Sequence, residues 1–279
     1  MATKRDILRL QAEQHGLVPT SEFRSLEEYC LYLMHLRAYE EAARQAAGRS
    51  VLDLGCNNGY GTKILSAAAR RTVGADVSPR AIEQARRSFA ADGIEFWLSG
   101  GGRLPCDDGS FEVVASLQVI EHVSDYDAYL SEIRRVLAGG GVAVLTTPNA
   151  LIRLRPGMKP INRFHVREFA ADELGELLGR HFPRVEVRGL FATPELHAVE
   201  LARTRRALAL ARRFGGIPFK VMGLLPYSLV QRVIRLVMSP KPGRLDESAL
   251  RKYSTADFFY RDDRLDEALD LLAICHRDG

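Results

Sequence analysis

Between residues 50 and 191 short β-branched runs alternate with amphipathic stretches at helical spacing, and this constrains the fold more than any other feature. Strand–helix alternation at that pitch implies a parallel sheet covered by helices on both faces. The expected strands are 50–54, 71–76, 94–98, 111–116, 141–147 and 184–191, with helices near 60–69, 78–90, 126–137 and 171–181. A further helix over 26–47 stops at Gly48, and a last apolar run at 268–276 can close the sheet as a seventh strand. From 192 to 258 the alternation lapses, which predicts a helical cap. The chain therefore divides into an N-terminal helical segment (1–48), an α/β core (49–191), a basic cap (192–258) and a returning strand (259–279). The 279 residues suffice for one doubly wound α/β domain with a mostly parallel seven-stranded sheet and an insertion. With 46% hydrophobic and 27% charged residues, the composition excludes disorder.

The first strand ends in VLDLGCNNGYG (51–61). A strand that turns into a helix through glycines lets a ligand approach the backbone where a Cβ would collide. The dinucleotide fingerprint needs glycines at relative positions 0, 2 and 5; counting from Gly55 or from Gly59 does not produce them, and no Gly-Lys-Ser/Thr of a phosphate loop follows.

What stands there resembles motif I of the class I S-adenosylmethionine (SAM) dependent methyltransferases, in which a strand ending in an acid runs into G-x-G-x-G. Asp53 is the acid, and Gly55, Asn57 and Gly59 fill the turn positions. Asn57 departs from the usual glycine, but Asn is the side chain that best tolerates positive φ. Asp76 ends the second strand, 21 residues beyond Gly55. Its carboxylate can accept from both ribose hydroxyls or, alternatively, cap the following helix together with Ser78. The resemblance extends to SGGGRLPCDDGSFEVV (99–114), where Gly100 replaces a common Asp and adenine contacts fall to Gly101 and Gly102. It also includes SLQVIEHV (116–123), with Gln118 as a further implied cofactor contact, and EIRRVLAGGGVAVLTTPN (132–149). Across roughly residues 35–191 and 268–276 the chain is similar to methyltransferases of ubiquinone biosynthesis and of surface-glycan pathways. The resemblance implies a Rossmann-like methyltransferase fold and methyl transfer from SAM, more to oxygen than to nitrogen or carbon. The implied acceptor is a small molecule, a glycan or a lipid-linked molecule. The departures Asn57 and Gly100 leave a rival open: a non-catalytic SAM-binding or membrane-associated partner protein with the same fold.

SAM carries its own leaving group, so the protein mainly positions the reactants, and a base matters only for an acceptor that is hard to deprotonate. His122, after strand four, and His165, in INRFHVREF, are the candidates; His197, Glu121 and Arg163 follow. Adjacent residues such as Glu121 and His122 are expected to point apart. Each histidine also has a plain reading as a surface or loop-tethering group. No Asp, Glu and His share the sequence spacing of a metal site, so no metal ligand is named.

The four cysteines are scattered and the N-terminus lacks a signal-type apolar core, which predicts reduced thiols and a cytoplasmic protein. The net charge of +4 is uneven: residues 201–245 hold ten Lys/Arg and no acid, while the rest carries 29 basic and 35 acidic side chains. A helix from Pro226 would gather Leu229, Val230, Val233, Ile234 and Val237 opposite Arg232 and Arg235, the pattern of an interfacial helix. The block can serve as a substrate lid, as a peripheral contact with anionic membrane, or as a pocket for a phosphorylated acceptor. Nucleic acid is not expected, because aromatic side chains for base stacking are not interleaved with the arginines.

Overall fold

The computed structural model describes residues 23, 25–89, 92–162, 164–214 and 250–279. Its strands are β1 (Ser50–Leu54), β2 (Arg71–Asp76), β3 (Glu95–Leu98), β4 (Phe111–Leu117), β5 (Leu137–Pro148), β6 (Arg184–Ala192), β7 (Phe258–Arg261) and β8 (Asp270–His276). They form one sheet in the order β3-β2-β1-β4-β5-β8-β6-β7. Strands β1 to β5 pair in parallel, whereas β8 runs antiparallel to both β5 and β6. The order reverses between β1 and β4, so a crevice opens at the carboxyl ends of these strands, the place where such sheets bind ligands.

Helices α1 (Leu26–Ala46), α2 (Tyr60–Ser66), α3 (Pro79–Phe89), α4 (Tyr126–Val136), α5 (Ala150–Arg153), α6 (Ala171–Gly179) and α7 (Pro194–Phe214) cover the sheet. Successive strand residues point to opposite faces, which sorts the core into two layers. Leu52, Val114, Ala143 and Leu145 pack with Leu130, Ile133 and Val136 of α4 and Leu174 and Leu178 of α6. Val51, Val113, Ala115, Val142 and Val144 pack on Ala38, Tyr39 and Ala42 of α1. Asp125 caps α4 by accepting from the Ala128 amide at 3.0 Å, a contact worth about 0.5–2 kcal/mol.

Eight strands form where seven are expected. The additional one is β7, FFYR, which pairs antiparallel with Gly189–Ala192 at the sheet edge. It spans only four residues and, being antiparallel, needs no crossover helix to reach its neighbour, so the strand–helix alternation does not mark it. It begins inside the segment assigned to the cap. The expected strand at 141–147 instead starts at Leu137, directly after α4, because Leu137 pairs with Phe111 before the register shifts towards Val113 and Val142. Within the basic block, residues up to Phe214 continue α7; the interfacial helix expected from Pro226 lies outside the described residues. Among the described residues no helix is long and apolar enough to cross a membrane.

Candidate active site

The turn after β1 is shaped by backbone geometry. Gly55 has φ 88°, and a Cβ there would come within 2.4 Å of the Val119 side chain. Asn57 adopts φ 48°, so asparagine does occupy the left-handed region, as its side chain allows. Gly59 (φ 81°) opens α2, and a Cβ there would meet Ala85 and the Phe96 ring at 2.8 Å, which makes this glycine a packing necessity between α3 and β3. The amides of Gly55 and Cys56 both donate to the Ala75 carbonyl, tying the turn to the end of β2.

Asp76 fixes the same corner. One carboxylate oxygen accepts from the Asn57 amide at 2.9 Å and the other from the Ser78 amide at 2.8 Å. Ser78 Oγ in turn accepts from the Ala81 amide at 3.2 Å, so the capping of α3 falls to Ser78. A carboxylate offers about four lone-pair directions, so Asp76 retains capacity for a diol. Burial raises its pKa against the opposing effect of these amides. Asp53 lies behind the turn, buried, its Oδ2 accepting from the Thr62 hydroxyl at 2.7 Å; burial lifts its carboxyl to about 7.

Beside this corner lies a cavity of about 610 Å³ with mainly apolar walls. Asn57, Asp76, Gly101 and Gly102 line it, and nothing lies within 4 Å of where a Cβ would stand on Gly100 or Gly102. Met34, His35 and Tyr39 of α1 form another wall, so the N-terminal helix belongs to the site. An open glycine shelf beside a buried carboxylate fits an adenosine with its ribose diol on Asp76.

The opposite side of the cavity is built from side chains. Gln118, in a left-handed conformation (φ 58°), donates through Nε2 to Thr146 Oγ1 at 3.1 Å and Asp270 Oδ2 at 2.8 Å. Asp270 arrives there because β8 is antiparallel: its first residue pairs with Pro148, the last of β5. Burial and then the charge of Glu121 hold the Asp270 carboxyl well above the usual range. The 3-10 turn Ile120–His122 carries Glu121 and His122 into the same cavity. Contrary to expectation the two neighbours converge, with Glu121 Oε1 3.7 Å from His122 Nε2, both side chains lining the same cavity. Glu121 is buried, accepts from Thr147 Oγ1 at 3.1 Å, and is lifted by burial to about 8.

His122 and His165 meet edge to face with ring centroids 4.7 Å apart. His122 Nδ1 lies 3.1 Å from the Phe164 carbonyl, and His165 Nδ1 lies 2.7 Å from Glu168 Oε1. Glu168 is fully buried and also binds Arg153 at 3.0 and 3.3 Å. Burial opposes its ionisation, but the His165 hydrogen bond and the Arg153 charge prevail and lower its pKa. Glu121, His122 and His165 each offer one ligand atom, all three within 4.8 Å of one another, a cluster that sequence spacing did not disclose.

Of the residues singled out in the sequence, Gly55, Asn57, Asp76, Gly101, Gly102, Gln118, His122 and His165 line this one cavity. Asp53 and Gly59 stand behind the turn, and His197 stacks on Phe191 outside the lining. Arg163 lies outside the described residues. Sequence inspection missed Tyr39, Arg153, Glu168 and Asp270, and held Arg203 only as part of the basic block. Only Glu168 left a trace, three residues after His165. Two arginines of the basic block are paired internally, Arg203 with Glu200 at 2.7 Å and Arg206 with Glu27.

A family model described as a methyltransferase domain matches residues 52–145. The chain is 33% identical over 250 residues to a probable S-adenosylmethionine-dependent methyltransferase of Mycobacterium tuberculosis (strain H37Rv), covering 87% of this chain and 82% of the relative. It is 30% identical over 131 residues to a fatty-acid O-methyltransferase of Mycolicibacterium smegmatis, covering 46% of this chain and 47% of the relative. A solved SAM-dependent methyltransferase from Thermotoga maritima shares the fold at 14% identity, with a TM-score of 0.55 over 89% of this chain and 91% of that one.

Proposed function

The chain belongs to the class I SAM-dependent methyltransferases, and we propose that it methylates an oxygen of a small-molecule, glycan or lipid-linked acceptor, with His122 and His165 activating that oxygen. SAM, when bound, supplies a methyl group on a sulfonium that needs no further activation. Asn57, Asp76 and the shelf at Gly101 and Gly102 would hold its adenosine.

One observation carries the choice of oxygen: two imidazoles with fixed Nδ1 atoms share the cavity with Asp76. Glu168 and the Phe164 carbonyl can only accept, so each neutral ring presents a basic Nε2. Basic nitrogens help most when the acceptor must lose a proton, as a hydroxyl does. The apolar walls and the fatty-acid O-methyltransferase relative support an acceptor with a substantial apolar part. The pairing of Arg203 and Arg206 with acids of the chain supports the lid role for the start of the basic block.

The test is release of S-adenosylhomocysteine against phenols, sugar alcohols and hydroxylated lipids. His122→Ala and His165→Ala should each lower turnover by about 10²–10⁴ while SAM affinity by calorimetry stays near wild type. Full turnover in both variants, or methylation of amines alone, overturns the proposal.

A further inference from the structure

We propose that Glu121, His122 and His165 form a binding site for a first-row divalent cation that takes the acceptor's hydroxyl oxygen as an additional ligand. The inference rests on the O-methylation reading above and specifies how the two histidines would serve it.

The ligand chemistry comes first. Two imidazoles and one carboxylate suit zinc, iron, cobalt or manganese better than calcium or magnesium, and three protein ligands leave coordination positions for a substrate. The three ligand atoms lie within 4.8 Å of one another, and Glu121 Oε1 and His122 Nε2 are 3.7 Å apart. An ion about 2.1 Å from each ligand brings them to about 3–3.5 Å separation, so closure needs roughly an ångström of side-chain movement.

The surroundings are those of ligating histidines. Metal-bound imidazoles almost always donate their other N–H to a carboxylate or a main-chain carbonyl. His165 Nδ1 donates to Glu168, itself clamped by Arg153, and His122 Nδ1 donates to the Phe164 carbonyl. These bonds fix the tautomers. A carbonyl cannot donate, so His122 Nδ1 carries the hydrogen and the lone pair of the neutral ring sits on Nε2, facing Glu121 Oε1. Nε2 and Oε1, 3.7 Å apart, thus border the space that a cation would fill. Thr147 holds the other Glu121 oxygen, which leaves Oε1 aimed at that point.

A cation there polarises the bound hydroxyl and lowers its pKa, as divalent ions do for bound water. The hydroxyl proton passes to solvent water. The acceptor oxygen then forms its bond to the methyl carbon as the carbon–sulfur bond breaks, its electron pair staying on sulfur. Neither imidazole needs to take the proton.

The test uses the full chain, freed of metal by dialysis against chelator, and titrated with Co²⁺ alone by calorimetry and visible absorption. One equivalent should bind with a ligand-field spectrum, and Glu121→Gln and His165→Ala should each weaken binding by at least about 100-fold, beyond what loss of an outer-shell partner does. SAM affinity reports whether each variant is folded. Chelated wild type should lose turnover and regain it with Zn²⁺, Mn²⁺ or Co²⁺. No stoichiometric Co²⁺ binding by wild type, or full turnover in chelated protein, overturns the proposal. In that event a persistent turnover loss in His165→Ala would leave O-methylation intact with an imidazole as direct base, whereas its absence would remove both.

Discussion

The two halves of the cavity are made differently. On the cofactor half the decisive groups are main chain and open space: amides of Asn57 and Ser78 on Asp76, left-handed Gly55 and Asn57, and a glycine shelf. On the acceptor half they are titratable side chains, buried Glu121, Glu168 and Asp270 with half-buried His122 and His165, held by one another and by Arg153, Gln118 and Thr147. A backbone cradle recognises a constant ligand and tolerates changes around it. A network of buried charges is sensitive to every member, since a lone buried charge is left without compensation.

That contrast breaks most visibly at Glu168. Replacing it with Ala strands Arg153 and removes the hydrogen-bond partner of His165 in a dry environment. Removing one partner of a buried ion pair costs about 3–5 kcal/mol, so Glu168→Ala should lower the denaturation free energy by that much. The folded fraction should bind SAM with wild-type affinity. Denaturant titration showing a loss below about 1 kcal/mol, the value of an exposed pair, would mean the acceptor half is not the charge network described.

The cofactor half should respond in binding rather than in stability. Asp76→Ala removes the acceptor expected for the ribose diol, worth about 1.5–3 kcal/mol, or roughly 10–150-fold in SAM affinity. Turnover at saturating SAM should remain near wild type. Calorimetry on the folded variant decides it: unchanged affinity would move the ribose away from β2.

How well each half could be read from the sequence follows the same division. The cofactor half was legible because its parts are local: Asp53, Gly55, Asn57 and Gly59 lie in one turn, and Asp76 ends the next strand. Even there, function and packing were not separable by spacing, since Gly59 serves the Ala85–Phe96 contact. The acceptor half draws on residues from Gln118 to Asp270 that meet only through tertiary pairing. Nothing in ALDLLAICH announces that antiparallel β8 will set Asp270 beside Pro148. The convergence of Glu121 on His122 was misjudged because Cα directions were taken to decide where the ends of two long side chains lie, whereas tertiary partners, Thr147 for Glu121 and the Phe164 carbonyl for His122, set them. The sheet itself was legible in all but β7, a four-residue antiparallel edge strand that no strand–helix alternation leads into.

Asp53 sharpens the comparison, a second buried carboxyl behind Asp76 on the half built mainly from backbone. Burial first, then the negative charge of Asp76, lifts it to about 7, with the Thr62 hydroxyl only partly offsetting them. In the unfolded chain an aspartate titrates near about 4, so below that pH both states hold the proton and Asp53 opposes folding least. Between about 4 and about 7 the folded state keeps a proton that the unfolded state has released. Stability then falls as pH rises, by at most about 1.4 kcal/mol per pH unit from this group. Above about 7 both states are ionised and the loss is complete. Other carboxylates, such as Glu168 with its lowered pKa, act in the opposite sense, so total stability is not the observable. The observable is the difference between wild type and Asp53→Asn, which keeps the shape and can still accept from Thr62 but cannot titrate. Across urea denaturations at pH 4.5 to 8, a range set by the window of about 4 to 7, the variant should gain on wild type as pH rises and then level off. A difference that stays flat would mean that Asp53 is ionised throughout, and that the turn stabilises a buried negative charge with its own dipoles.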